Sequence, residues 1–127
     1  MAYIKKADQL KILVLEDDAN RIEVFKEKLK GHDVYFFDQA EDAINAFKLF
    51  TDKPWDIVFL DHDLGGQVFV PSSNPNTGYA VAKYMEENDV EAKQVIIHSM
   101  NPAGGANMKA ALPHAIIMPF PQLKSRL

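Results

Sequence analysis

Three short stretches hold residue types that can do chemistry together: Glu16-Asp17-Asp18, Asp61-His62-Asp63, and His98-Ser99-Met100-Asn101-Pro102 with Gly104-Gly105 just beyond. Carboxylates crowded into one place repel each other and raise one another's proton affinity unless a cation neutralises them. A hard divalent ion is the economical remedy, with Glu16, Asp17, Asp61 and Asp63 as candidate ligands. Magnesium accepts one or two carboxylates plus a phosphate oxygen, while the neighbouring histidines leave manganese open. Such an ion offsets phosphoester charge and makes water a better nucleophile. His98 or His62 is then the candidate general acid or base, because imidazole titrates near neutral pH. Ser99 and Asn101 suit phosphate oxygens, and a Gly104-Gly105 turn ahead of a helix lets backbone N–H groups approach an anion.

Each of these residues has a plainer reading. Asp18 suits a helix N-cap. Asp63 can bond backbone N–H groups in the turn before Gly65, and Asn101 can bond its own backbone. His62 directly follows Asp61, and neighbours on an extended chain face opposite sides. His98 can be a buried histidine satisfied by the backbone. His32 and His114 sit beside turn residues with no acidic cluster.

The segments between these stretches must position them. Lys11-Ile12-Leu13-Val14-Leu15 is short and continuously apolar from Ile12, as a strand buried on both sides requires. Ile22, Phe25, Lys26 and Leu29 recur at helical spacing, so 19–30 reads as a helix stopped by Gly31. Val34 to Phe37 is a second strand, and Asp38 can cap a helix with Ala43, Ile44, Phe47 and Phe50 on its inner face. Trp55 to Leu60 is a third strand. A long connection rich in Gly, Pro, Ser and Asn follows, then a helix from about Thr77 to Asn88 with Ala80, Val81, Tyr84 and Met85 facing inward. Val95 to Ile97, a short helix from Ala106 to Leu112, and a last strand from Ala115 to Met118 complete the pattern. Strand alternating with helix predicts an α/β fold with a parallel sheet covered on both faces. In that architecture, residues beyond the carboxyl ends of the strands share one crevice. Phe69, in the long connection, is placed to stack on a base or to anchor the loop.

The chain has 127 residues, 47% of them hydrophobic, enough for one core and one domain over 1–127. A net charge of -4 gives no general attraction to duplex DNA or an anionic membrane, and the Lys26, Lys28, Lys30 run reads as a solvated helix face. The absence of cysteine removes disulfides and thiolate chemistry and fits a reducing compartment. Met1 to Leu10 lacks the continuous hydrophobic stretch of a secretory signal. A cytoplasmic location is expected.

Five strands with acids after the first and an Asp after the third resemble the receiver (CheY-like) domain of response regulators. The resemblance implies a flavodoxin-like sheet in the order 2-1-3-4-5, a magnesium site built by Glu16-Asp17 with Asp61, and Asp61 as phosphoryl acceptor. Ser99 falls where receivers place a phosphoryl-sensing hydroxyl. Pro119 matches the Lys-Pro turn of the family, but Met118 occupies the place of its Lys. A thioether cannot supply that fixed positive charge, which puts ordinary phospho-switching in doubt. The loop after Asp61 is also longer than usual, and the fifth helix is expected to be truncated or absent, leaving the usual output face incomplete. His62, Asp63 and the His98-Ser99-x-Asn101-Pro102-x-Gly104-Gly105 run are similar to a divergent receiver group proposed to process cyclic phosphates. That similarity implies a metal-dependent phosphoesterase acting on a cyclic or terminal phosphate of a nucleotide or RNA end. The alternatives are an atypical receiver working through a protein partner, and a nucleotide-sensing module that binds without turnover.

Overall fold

The computed structural model describes residues 9–127, so most of the Met1 to Leu10 segment lies outside the described residues. Five parallel strands, β1 (Lys11–Leu15), β2 (Asp33–Phe37), β3 (Trp55–Leu60), β4 (Ala92–Ile97) and β5 (Ile116–Ile117), form one sheet in the order β2-β1-β3-β4-β5. The helices are α1 (Ala19–Lys28), α2 (Ala40–Leu49), α3 (Gly78–Glu87), α4 (Pro102–Ala111) and α5 (Phe120–Lys124). This is the flavodoxin-like order expected, with α5 cut to 5 residues. Among the described residues no helix is long and apolar enough to cross a membrane.

Both faces of the central strands are covered, which is why they read as unbroken apolar runs rather than alternating ones. Side chains still alternate between faces. Leu13, Leu15, Val58, Leu60 and Ile97 pack with Ala43, Phe47, Val81, Met85 and Met108 of α2, α3 and α4. Ile12, Val14, Ile57, Phe59 and Ile96 pack with Phe25 and Leu29 on the α1 side and with Phe120 and Leu123 of α5. Burial of each of the larger side chains among these contributes about 1.5–3 kcal/mol.

Strand β4 starts three residues earlier than read from the sequence, at Ala92, and α1 ends at Lys28; three other differences bear on the site. The residue before α2 is Gln39, whose side chain makes no cap; Asn76, far along the chain, accepts from Ala40 N–H at 2.9 Å instead. Asp38 therefore does not cap α2. Helix α4 starts at Pro102, not Ala106, with Asn101 Oδ1 accepting from Gly104 N–H at 3.0 Å. Asn as N-cap with Pro at the first helical position is a strong start signal; the glycine pair, read as a turn ahead of the helix, lies inside the first turn. Strand β5 shrinks to Ile116–Ile117, paired with Ile96 and Ile97 and half exposed at the sheet edge.

Candidate functional site

Register assembles the site. Leu15 pairs with Leu60 and Leu60 with Ile97, while Ile97 pairs with Ile117. The ladder continues one residue further, through Asp61 N–H to Leu15 C=O (3.1 Å), His98 N–H to Leu60 C=O (3.0 Å) and Met118 N–H to Ile97 C=O (2.8 Å). Glu16, Asp61, His98 and Met118 thus form a row across four strand tips. By alternation their side chains lie on the α1 and α5 face, whereas His62, one residue on, turns to the other.

Within the row, one ligand atom each from Glu16, Asp61 and His98 lie within 4.8 Å of one another, all three residues buried. Glu16 Oε1 accepts from His98 Nε2 at 2.9 Å, and Oε2 accepts the backbone N–H groups of Asp17 and Asp18, both at 3.0 Å. Burial works to raise the proton affinity of Glu16, but these hydrogen bonds, the His98 contact above all, hold its carboxyl below the usual range. Asp61 has far less support. Among the described residues its Oδ1 accepts only from His62 N–H, at 2.8 Å, and Oδ2 lies 3.8 Å from Arg21 Nη1. Burial, and then the charge of Glu16, push the Asp61 carboxyl up to about 8. Asp17 is raised by burial too, against the pull of Gly66 N–H, which donates to its Oδ2 at 2.6 Å.

These groups meet a cavity of about 370 Å³ lined by Asp17, Asp18, Arg21, Asp61 and Asp63, with Gln67, Val68 and Met100 at its rim. A larger hollow of about 760 Å³, walled by Leu10, Ile57, Val95, Leu112 and Ile116, lies toward the other end of the strands. Chemistry in this fold is located by the strand tips rather than by size, so the smaller cavity is the candidate.

Several candidate residues lie away from the cavity. His98 is fully buried beneath it, its ring 5.3 Å from Phe25 and 6.3 Å from Phe120, and among the described residues its Nδ1 has no hydrogen-bond partner. His62, also fully buried, contacts Asp63 Oδ1 through Nδ1 (2.8 Å) and Ser72 Oγ through Nε2 (2.9 Å). Neither imidazole lines the cavity wall. Gly104 is where it is because a Cβ there would sit 2.4 Å from His62 Cγ; it admits the histidine ring, and its N–H is spent on Asn101. Gly105 N–H is likewise spent, on Asn101 C=O at 2.8 Å. The Gly104-Gly105 pair therefore forms no open anion-binding turn.

Asp63, Asn101 and Ser99 serve the long loop and the α4 cap. Asp63 Oδ1 takes His62, Asn101 Nδ2 (3.0 Å) and Val70 N–H (3.2 Å), while Oδ2 accepts Phe69 N–H (2.6 Å), so most of this carboxylate is committed to the loop. Burial opposes ionisation of Asp63, but the Asn101 and His62 contacts outweigh it and hold its carboxyl low. Asn101 also donates to Val70 C=O at 3.3 Å, and Ser99 Oγ accepts Asn101 N–H at 3.0 Å. Asn101→Ala is expected to destabilise the protein by roughly 1–3 kcal/mol through the lost cap and the unpaired groups left behind. It should also speed proteolysis within 64–76; cleavage at the wild-type rate would show that Asn101 does not hold the loop.

Sequence reasoning missed Arg21, Gly66 and Ser72, and with Ser72 the Asn107 whose Nδ2 donates to its Oγ at 2.9 Å. Only Arg21 carried a signal: three residues after Asp18, at the start of α1, its long side chain turns back toward the helix N-terminus and so toward the acids.

Fold and strand-tip acids together define the receiver class of response-regulator domains. The chain belongs to the cyclic-phosphate processing receiver domain family, whose sequence model matches residues 12–114. Among curated proteins, none matches the sequence. Solved structures that it resembles include the Thermotoga maritima response regulator TrrA in complex with magnesium and BeF (23% identity, TM-score 0.62, 93% of this chain and 96% of that one). Another is the receiver domain of a Pseudomonas aeruginosa sensor histidine kinase with magnesium coordinated in its active-site cleft (16%, 0.63, 94% and 91%). A third is the receiver domain of a Francisella response regulator (17%, 0.62, 93% and 93%). At these identities the likeness establishes the fold.

Proposed function

We propose that this domain binds a divalent cation, magnesium first and manganese second, through Asp17 and Asp61, and uses it to bind and hydrolyse a cyclic or terminal phosphate of a nucleotide or RNA end. One observation carries this: Asp61 is a buried carboxyl at the cavity floor whose proton affinity is driven up by desolvation and by Glu16. Negative charge in surplus is the condition a metal relieves. The donor set fits a hard ion, since Asp17 and Asp61 bring carboxylate oxygens while Glu16 is already tied to His98 and two backbone N–H groups. Bound there, the ion would offset phosphate charge and activate water.

The chain's own residues do the positioning. Glu16 fixes the Asp17 and Asp18 backbone, and His98, through Glu16, holds that arrangement from below. His98 and His62 are thus positioning residues, and Asp61 is the titrating group that faces the ligand. The alternative, a nucleotide-sensing or atypical receiver that binds without turnover, is favoured by one specific fact: no imidazole lines the cavity. The cation is supported by the response regulator in complex with magnesium and BeF and by the histidine-kinase receiver with magnesium in its active-site cleft.

The test is calorimetry with magnesium and manganese, followed by assay of 2′,3′-cyclic nucleotides. Wild type should take up the ion and open the ring, Asp61→Asn should do neither, and His98→Ala should be impaired in both. Uptake without turnover would leave the binding alternative; no uptake would end both readings.

A further inference from the structure

The row across the strand tips leaves a gap in charge. Its fourth member, Met118, packs partly buried against the Phe25 and Phe120 cluster and brings no cation to the cavity. A cation does stand beside the acids, on Arg21. Its Nη1 is 3.8 Å from both Glu16 Oε1 and Asp61 Oδ2, its guanidinium carbon lies 5.3 Å from the Phe120 ring centroid, and its side chain is 30% exposed. A guanidinium has five N–H donors. Across the described residues none of them makes a side-chain hydrogen bond, because the nearest carboxylate oxygens are too far for one. Held by Phe120 on one side and by long-range attraction to two acids on the other, it lines the cavity with its donors unspent.

We propose that Arg21 is the anion clamp of this site: it takes a non-bridging phosphoryl oxygen of the ligand, in place of the strand-tip cation that Met118 cannot provide. This rests on the phosphate-site reading above and adds the residue that recognises the phosphate. Two features favour the assignment over a purely structural arginine. Structural arginines satisfy their forks on carboxylates at short range, often with two parallel bonds, and Arg21 stops short of both acids. The planar fork also suits two oxygens of one phosphate, and an ion held by Asp17 and Asp61 would bring those oxygens to the same cavity. Arg21 enters from helix α1, whereas residue 118 approaches from the far edge of the sheet. The phosphate should accordingly be seated toward α1, under the Gly66–Val68 rim.

The experiment separates metal from anion. Magnesium binding is measured by calorimetry, and binding of 2′,3′-cyclic AMP and of inorganic phosphate is measured at saturating magnesium, in wild type, Arg21→Gln, Arg21→Lys and the Arg21→Gln/Met118→Lys pair. Arg21→Gln should weaken the anions by at least tenfold, while magnesium binds as well as or better than in wild type, since a positive charge beside the carboxylates is gone. Arg21→Lys should recover part of the anion affinity, and Met118→Lys, which reaches the cavity from β5 at the sheet edge rather than from α1, should recover less. A merely structural Arg21 would lose magnesium and anion together, and that result overturns the proposal. So does an Arg21→Gln variant that keeps wild-type anion affinity, with the phosphate site itself left standing. Wild type that binds magnesium but no anion, or neither, removes the phosphate-site reading and this proposal with it.

Discussion

Asp61→Asn is expected to make the cation-free protein more stable at neutral pH while removing its response to magnesium. The folded Asp61 carboxyl is pushed up to about 8 from an ordinary 3.8, chiefly by burial and secondly by Glu16. Between those values the folded state holds a proton that the unfolded chain has released, so stability falls as pH rises from about 4 to about 8 and is flat above. One pKa unit is worth about 1.4 kcal/mol; with relaxation and water entry discounted, a gain on the order of 1–3 kcal/mol at pH 7 is a fair expectation for the neutral amide. Asparagine keeps the acceptor that Asp61 Oδ1 offers to His62 N–H, so little is lost in exchange. Asp17, also raised, acts with the same sign. Glu16 and Asp63, both held low, act oppositely: their contribution is present at neutral pH and disappears as acid protonates them. Urea unfolding over pH 5–9 with and without magnesium reads all of this. Magnesium must displace the Asp61 proton, so its stabilisation of wild type should grow from pH 6 to 8. An Asp61→Asn protein that is less stable than wild type and keeps the same slope would contradict the electrostatic account.

Gly78→Ala should have the largest effect of any single methyl. An added Cβ would lie 1.8 Å from the Asp61 carbonyl oxygen and 2.8 Å from its carbonyl carbon and from Met108 Cε. Backbone has no rotamer to escape into, and Gly78 N–H is bonded to His62 C=O at 3.0 Å, which pins the two segments together. Overpacking costs about 1–3 kcal/mol where side chains can give way; here the loss should exceed about 3 kcal/mol, a large part of a domain's total stability. Any folded remainder should bind magnesium poorly, since Asp61 must move. Gly105→Ala is the matched control, because its Cβ would meet only Ile97 Cγ2, at 3.9 Å. There alanine replaces glycine inside a helix and should stabilise by up to about 1 kcal/mol. Denaturation midpoints of the two variants that coincide would refute the packing argument.

The fold was legible because each strand is a short apolar run and each helix has a periodic face. The row Glu16, Asp61, His98 was legible as well, being the first residues past three such runs. What the sequence did not carry was partnership across the long connection. Nothing in the spacing of Ser72, Asn74 or Asn76 says that one meets His62 and another caps α2, because loops have no period to read. The glycine pair misled for a related reason: Gly104 answers to the ring of a histidine 42 positions earlier, a packing demand that local sequence reads as a turn. Side-chain direction was half legible. Period two turns His62 away from Asp61, but only the structure reveals that His98, on the acid's own face, is sealed under aromatic rings.

The excursion between β3 and α3 begins and ends in adjacent residues, since Asp63 and Thr77 form an antiparallel bridge. A segment whose two ends already touch adds little closure entropy when its length changes, so ligand preference at the cavity rim can be rewritten by exchanging this stretch without disturbing the sheet. The exchange has two conditions. A replacement must bring its own hydroxyl for the ring of His62 and its own acceptor for the first amide of α2, or the scaffold beneath it will loosen.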